Sequence, residues 1–266
     1  METLGFIGVG NIATAIIKSV LNSGYITPDK ICLFDTDEQK SAGFQTAYGV
    51  RVATAAVDVV KQCDCVIIAV KPSVVESVLK TISPVVSSQC IVSVAAGISL
   101  SFIGSHLPKG TSVIRVMPNT PLMYGNGAAA YSVNASVTST QAAFVEKVFS
   151  SSGYAAQVDE TLLNSVTAVS GSSPAFVFRF MRDIIEEGMA QGLPQAVAEQ
   201  LVIQTVIGSA VMLCKSELTA DQLIRMVASP NGTTEAGLSA LDSAGFDASV
   251  KGAVNSAYRR SIELTK

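Results

Sequence analysis

The sequence predicts an α/β fold in two parts: a doubly wound, mainly parallel sheet over residues 1–158, then an all-α domain over residues 159–266. Three observations predict it. Short apolar runs alternate with segments of helical periodicity through the first part. The first of these runs ends in closely spaced glycines that open a helical segment. From residue 160 onward the strand-like runs stop, and apolar residues recur at helical spacing.

"TLGFIGVG" (3–10) reads as a buried strand running into glycines, and Ile12, Ala15, Ile16 and Val20 mark a helix over 11–23. The junction Gly8-Val9-Gly10-Asn11-Ile12-Ala13 has the G-x-G-x-x-A form of a dinucleotide fingerprint. In that pattern Gly8 permits the tight turn, Gly10 lets a pyrophosphate approach the backbone, and Ala13 lets the helix pack close to the strand. Unpaired N–H groups and the positive dipole end of the helix then face the phosphates. A second strand, "KICLFD" (30–35), ends in Asp35. A carboxylate about 20 residues past the fingerprint hydrogen-bonds the ribose 2′-hydroxyl, and Asp35 is assigned that role.

The third strand, "CVIIAV" (65–70), is apolar throughout, as in a strand covered on both faces. "CIVSVAA" (90–96) and "SVIRVMP" (112–118) continue the alternation, and "GAAAYSV" (127–133) and "YAAQV" (154–158) close the domain. This first part is a Rossmann-type domain. Its ligands are expected outside the carboxyl ends of the strands. The loops "AVKPS" (69–73), "AAG" (95–97) and "MPNTP" (117–121) therefore face the nicotinamide half of an NADH or NADPH cofactor, stiffened by Pro72, Pro118 and Pro121.

In the second part, residues 170–193 predict a turn and a long helix, with Pro174 in its first turn and Gly192 at its C-terminal cap. The helix over 193–214 is apolar around its whole girth, which suits a domain centre or a subunit interface. The domain is too small to wrap such a helix, so it becomes a dimerisation domain and an intertwined dimer is expected. Helices over 219–227, 233–243 and 247–264 complete it.

Composition narrows the class. The chain has 266 residues, is 48% hydrophobic, and carries a net charge of −3 without basic runs, which argues against a nucleic-acid partner. Mean hydropathy is +0.43, yet Glu199, Gln200 and Gln204 interrupt the most apolar stretch, so no membrane span is expected. The N-terminus enters a strand pattern at once, and a cytoplasmic protein is expected. Cys63 and Cys65 form a C-x-C without a second Cys or His pair, so no metal site is predicted and the five cysteines are expected as free thiols. His106, the single histidine, sits in the loop-like "GSHLPKG" and is expected at the surface.

The reaction class follows from what is missing. Ketone reduction requires a proton donor for the new alkoxide, usually His, Lys or Tyr. β-Hydroxyacid dehydrogenases, which have a similar layout, carry a catalytic Lys on the first long helix after the nucleotide domain. Here the corresponding position, six residues after Gly171, is Val177. An imine nitrogen is basic enough to be protonated before hydride arrives. Its site needs a hydroxyl or acceptor at nitrogen and an anchor for a carboxylate. "VASPNGTTEAG" (227–237) offers both: a glycine turn exposing N–H groups at a helix start, and the hydroxyls of Thr233 and Thr234. A plain N-cap is the competing explanation for one of those threonines.

"GFIGVGNIATAI", "AVKP", "AAG", "MPNTP", "AVSGSSPAF" and "ASPNGTTEAGLSAL" occur in this order at suitable spacing. Together they resemble the Δ1-pyrroline-5-carboxylate reductase family over essentially the whole chain, the S-P-x-G-T-T-x-A-G-L signature being the specific element. The resemblance implies an NAD(P)H-dependent imine reductase that catalyses the last step of proline biosynthesis, with an imino-acid substrate. It implies a homodimer, often assembled further into decamers. By matching positions, Gly8, Val9, Gly10, Asn11, Ile12 and Ala13 hold the pyrophosphate. Ala69, Val70, Lys71 and Pro72, with Ala96, contact the nicotinamide ribose side, and Asn119 lies against the nicotinamide. Gly232, Thr233 and Thr234 bind the carboxylate and ring nitrogen, with Thr234 as the catalytic residue nearest nitrogen. Glu217 matches a family acid that reaches the substrate from the partner subunit.

Three features depart from the family pattern: Ser173 replaces a glycine, Ala56 stands where Asn is frequent, and Asp35-Thr36-Asp37 replaces a Ser/Arg-type phosphate pocket. Asp35 therefore favours NADH. A dehydrogenase of the β-hydroxyacid type and a non-catalytic dinucleotide-binding regulator remain the alternatives.

Overall fold

The computed structural model describes residues 1–266. It divides into two compact units: residues 1–172 with 256–266, and residues 173–255.

The first unit contains β1 (Leu4–Ile7), α1 (Asn11–Asn22), β2 (Ile31–Phe34), α2 (Glu38–Tyr48), β3 (Arg51–Val52), α3 (Ala56–Gln62), β4 (Cys65–Ile68), α4 (Pro72–Ile82), β5 (Cys90–Ser93), α5 (Leu100–Ser105), β6 (Ser112–Pro118), β7 (Gly127–Val133), α6 (Ser139–Ser150), β8 (Gly153–Gln157) and α7 (Leu163–Val166). One sheet has the order β3-β2-β1-β4-β5-β6-β7-β8. Strands β3 to β6 are mutually parallel, β7 is antiparallel to β6, and β8 is parallel to β7. The apolar runs explain this arrangement. Every residue of β1, β4 and β5 is buried, and one apolar cluster lies on each face of the sheet. Ala13, Ile16, Ile17 and Val20 of α1 pack on one face, and Val75, Leu79 and Ile82 of α4 on the other.

The parallel strands stop short of the runs that predict them: β1 ends at Ile7, β4 at Ile68 and β5 at Ser93. The remaining small and apolar residues leave the ladder to form the loops at the carboxyl edge. β3 is a two-residue edge strand with no apolar run to announce it. The sheet reverses its winding between β1 and β4, and the crevice at such a switch point is where this architecture binds ligands.

The second unit holds α8 (Ser173–Ala190), α9 (Gln195–Lys215), α10 (Ala220–Val227), α11 (Thr233–Ser243) and the start of α12 (Phe246–Leu264), which continues into the first unit. Pro174 lies in the first turn of α8, and Gly192 follows the helix with φ 99°. The helices match the apolar periodicity closely. Their burial does not resemble that of a finished core, because only Ala198 and Val202 of α9 are buried and no residue of α8 is. By length and composition α9 could cross a membrane, although no uninterrupted apolar run announces it.

Cys32, Cys63, Cys65 and Cys90 are buried free thiols, and Cys214 is exposed. Contact with the Cys90 thiol and complete burial raise Cys65 well above the ordinary thiol range, so it stays protonated. His106 is half-buried rather than at the loop surface: it caps α5, its Nδ1 lies 2.9 Å from the Phe102 carbonyl, and its ring packs against Phe102.

Candidate active site

The fingerprint residues form the turn between β1 and α1. Gly8 has φ 94°, in the left-handed region, and a Cβ there would fall 2.9 Å from the Ala69 carbonyl oxygen and from Val70 Cγ1. Gly10 is the N-cap of α1 with φ −80°, and a Cβ there would meet nothing within 4 Å. The two glycines therefore serve different ends. Gly8 is required by the protein's own packing, whereas Gly10 leaves open the space in which a phosphate would lie against backbone. Asn11 and Ile12 open α1, and buried Ala13 packs it to the sheet.

Asp35 directly follows β2. One carboxylate oxygen accepts the Val9 N–H at 2.6 Å and the other the Asp37 N–H at 2.9 Å, while the Gly8 N–H donates to the Phe34 carbonyl at 2.8 Å. Asp35 thus braces the glycine loop from the second strand. Each of its oxygens retains acceptor capacity for a ribose hydroxyl.

Ala69, Val70 and Lys71 leave β4 beside this turn, and Pro72 begins α4 with Lys71 as its N-cap. Ala96 is exposed after β5, and Asn119 follows β6. The register β1-β4-β5-β6 lays these loops in sequence along one edge of the sheet.

A cleft of about 340 Å³ opens between the ends of β1 and β2 and helix α4. Besides Gly8, Asp35, Thr36 and Val70, it is lined by Val74 and Ser77, which the sequence motifs do not mark. Ala56 also lines it, making that wall apolar. The tight turn, the open face at Gly10, the helix N-terminus and this cleft fit a dinucleotide.

A contrast between the two glycines tests the fit. Gly8→Ala is expected to lower stability by about 1–3 kcal/mol through backbone strain and close contact. Gly10→Ala is expected to leave the melting temperature within about 2 °C while weakening dinucleotide binding at least about tenfold, through obstruction of the pyrophosphate. Thermal denaturation paired with cofactor titration checks both.

In the second unit, the Ser229–Gly232 turn leads into α11. Asn231 is the one non-glycine residue with positive φ, 57°, and its N–H donates to Glu235 Oε2 at 2.7 Å. The Gly232 N–H donates to the Ser229 carbonyl at 3.0 Å, and Gly232 itself is the N-cap. Thr233 and Thr234 are therefore the first two helical residues, and neither provides a side-chain cap. The plain N-cap explanation of these threonines does not hold. Thr233 is exposed and Thr234 half-buried. The N–H groups of Thr233, Thr234 and Glu235 have no partner within the chain, leaving a donor set suited to a carboxylate. Glu217 is exposed in the turn between α9 and α10 and makes no hydrogen bond to the 229–235 turn.

Fold and site together define a Rossmann-type oxidoreductase that works with a nicotinamide dinucleotide. Two family models match the chain: NADP oxidoreductase coenzyme F420-dependent over residues 3–97, and pyrroline-5-carboxylate reductase dimerisation over residues 160–264. The chain is 35% identical to the pyrroline-5-carboxylate reductase of Methanosarcina acetivorans, over 100% of this chain and 98% of that protein. It is similar to the solved structure of a pyrroline-5-carboxylate reductase from Coxiella burnetii, with TM-score 0.94 and 31% identity over 100% of this chain and 99% of that one. It is also similar to the Plasmodium falciparum enzyme solved with NADP bound, with TM-score 0.91, 29% identity and 100% of both chains covered. The chain belongs to the pyrroline-5-carboxylate reductase family, and the dimerisation match makes it a homo-oligomer.

Proposed function

We propose that this protein reduces 1-pyrroline-5-carboxylate to L-proline, the final step of proline biosynthesis, and that the residues singled out in the sequence carry the reaction. The observation that carries this reading is the start of α11: three unpartnered N–H groups beside a half-buried Thr234 hydroxyl that makes no hydrogen bond within the chain. The amides of Thr233 and Thr234, with Gly232 shaping the turn, hold the substrate carboxylate at the positive end of the helix. The Thr234 hydroxyl hydrogen-bonds the ring nitrogen. When bound, the dinucleotide supplies hydride to the carbon of the C=N bond, and the π electrons pass to the already protonated nitrogen.

Val177 supports this reading against a β-hydroxyacid dehydrogenase. It lies in an apolar groove with Phe180, Ile184 and Leu201, and it cannot protonate an alkoxide. Steady-state assays of dinucleotide oxidation with pyrroline-5-carboxylate, beside a β-keto acid substrate, test it. Turnover is expected with the imine only. Turnover with neither would favour a regulator.

The cofactor half of the reading places Gly8 to Ala13 on the pyrophosphate, Ala69 to Pro72 and Ala96 along the nicotinamide ribose, and Asn119 near the nicotinamide. Asp35 faces the adenosine ribose. We assign the division of function at residues 158 and 159, with Glu217 completing the site of a partner in a dimer that can build decamers. A cytoplasmic location fits this metabolism.

NADH is the expected cofactor. Lys40, five residues beyond Asp35, is 3.5 Å from Asp37, so its charge is offset locally. A 2′-phosphate beside Asp35 and Asp37 meets repulsion of about 1–2 kcal/mol, or roughly tenfold in kcat/KM. Kinetics with NADH and NADPH at fixed ionic strength check it. A clear NADPH preference that Asp35→Ala leaves unchanged would place Asp35 away from the ribose.

A further inference from the structure

Asn119 is fully engaged by the protein. Its backbone N–H donates to the Ala128 carbonyl at 3.1 Å, and its Oδ1 accepts the Ala128 N–H at 2.9 Å. Because a backbone N–H can only donate, Oδ1 must be the atom that faces it, which fixes the amide orientation. Nδ2 then points to Ser170, 3.2 Å from its Oγ and 3.4 Å from its carbonyl oxygen. Ser170 belongs to a π-helical turn, Thr167–Gly171, closed by the Ser172 N–H to the Thr167 carbonyl at 2.8 Å. Such turns are rare and gather at functional sites. The turn is pressed against the end of β6: a Cβ on Gly171 would fall 2.5 Å from Met117 Cε.

The loop after β5 is held by the same kind of device. Gly97 has φ 72°, and the Leu264 carbonyl oxygen stands 2.5 Å from where its Cβ would be. The Lys266 N–H donates to the Gly97 carbonyl at 2.8 Å, and the Ser99 N–H to the Lys266 carbonyl at 3.2 Å. The loops after β5 and β6 are thus tied to the two segments where the chain leaves the first unit and returns to it. The fingerprint turn is held differently, by β2 and Asp35. The adenosine and nicotinamide ends of the expected cofactor site therefore have separate supports.

We propose that Asn119 is a positioning residue: by mooring the loop after β6 to Ser170, it sets the nicotinamide end of the cofactor without contributing to the adenosine end. This rests on the cofactor placement given above. Asn119→Asp combined with Ser170→Ala tests it, because the pair keeps the acceptor for Ala128, removes the hydroxyl that could donate to the new carboxylate, and sets that carboxylate against the residue-170 carbonyl. Dinucleotide and ADP-ribose affinities are measured by titration on wild type and on this variant. The dinucleotide is expected to weaken about tenfold in the variant, while ADP-ribose stays within about twofold. In imine reduction, kcat is expected to fall by a similar factor, and the isotope effect with 4-deuterated cofactor to rise. Asn119→Ala should likewise weaken the dinucleotide and leave ADP-ribose within about twofold.

Equal weakening of both ligands, or a lowered melting temperature with an unchanged affinity ratio, would reduce Asn119 to a fold-stabilising residue and overturn the proposal. The ratio needs no imine, so it stands apart from the choice of substrate. Wild type that binds the dinucleotide no better than ADP-ribose would overturn the cofactor placement itself.

Discussion

Thr234→Ala lowers kcat/KM for imine reduction by about 10²-fold and leaves dinucleotide affinity nearly unchanged, as expected for loss of one positioned hydrogen-bonding or proton-handling group. The size follows from the surroundings. The hydroxyl is half-buried and lies at the start of a helix whose first amides are unpartnered. Since Gly232 is the N-cap and no side chain caps α11, removing this hydroxyl costs no capping bond. Stability should therefore change little, which separates the catalytic effect from a folding defect. Thr233→Ala, at an exposed position, should have the smaller effect. Unchanged imine kinetics in folded Thr234→Ala would remove the hydroxyl from the mechanism.

Ile207→Glu yields insoluble or unfolded protein rather than a clean monomer. Large apolar side chains stay open in the second unit of a single chain: Phe178 is 64% exposed, Leu201 54% and Ile207 51%. An apolar groove of about 570 Å³ runs between α8 and α9. Apolar surface of this extent marks an interface, and the family match assigns that region to dimerisation. An unpaired carboxylate buried in such an interface costs several kcal/mol, comparable to the whole stability of a domain. Sedimentation of wild type should show a dimer or larger species at micromolar concentration. A stable wild-type monomer would contradict the interface, and a soluble Ile207→Glu monomer would mean that the helices do not depend on it.

The fold was legible wherever one local pattern decided the outcome. The apolar runs gave β1, β4 and β5, because a strand covered on both faces needs no polar alternation. Helical periodicity located α8 to α12 to within a few residues. The sequence was less clear where long-range pairing decided. β3 exists because Arg51 and Val52 pair with Cys32 and Leu33, and the direction of β7 is set by β6. Strand ends were overextended because the loop residues after β4 and β5 are as apolar as the strands.

At the site, motif spacing found the glycine turn, Asp35 and the Gly-Thr-Thr helix start. It did not show that Asp35 braces Val9, that Asn119 reaches Ser170, or that Gly97 accommodates Leu264. These are contacts between residues far apart in sequence, with no local signature. The Thr233 and Thr234 hydroxyls were ambiguous for the opposite reason: a cap and a binding group share one sequence pattern, and only the backbone at Gly232 separates them.

The reaction proposed for this protein is hydride transfer from a nicotinamide dinucleotide to a cyclic imine carboxylate. Incubation of wild type with 1-pyrroline-5-carboxylate and NADH deuterated at both C4 positions, followed by mass and NMR analysis of the product, tests it most directly. The expected product is L-proline carrying one deuterium at the ring carbon of the former C=N bond, formed in step with cofactor oxidation and about 10²-fold more slowly by Thr234→Ala at equal enzyme. Cofactor oxidation without labelled proline, or no oxidation by folded, dinucleotide-bound protein, would contradict it.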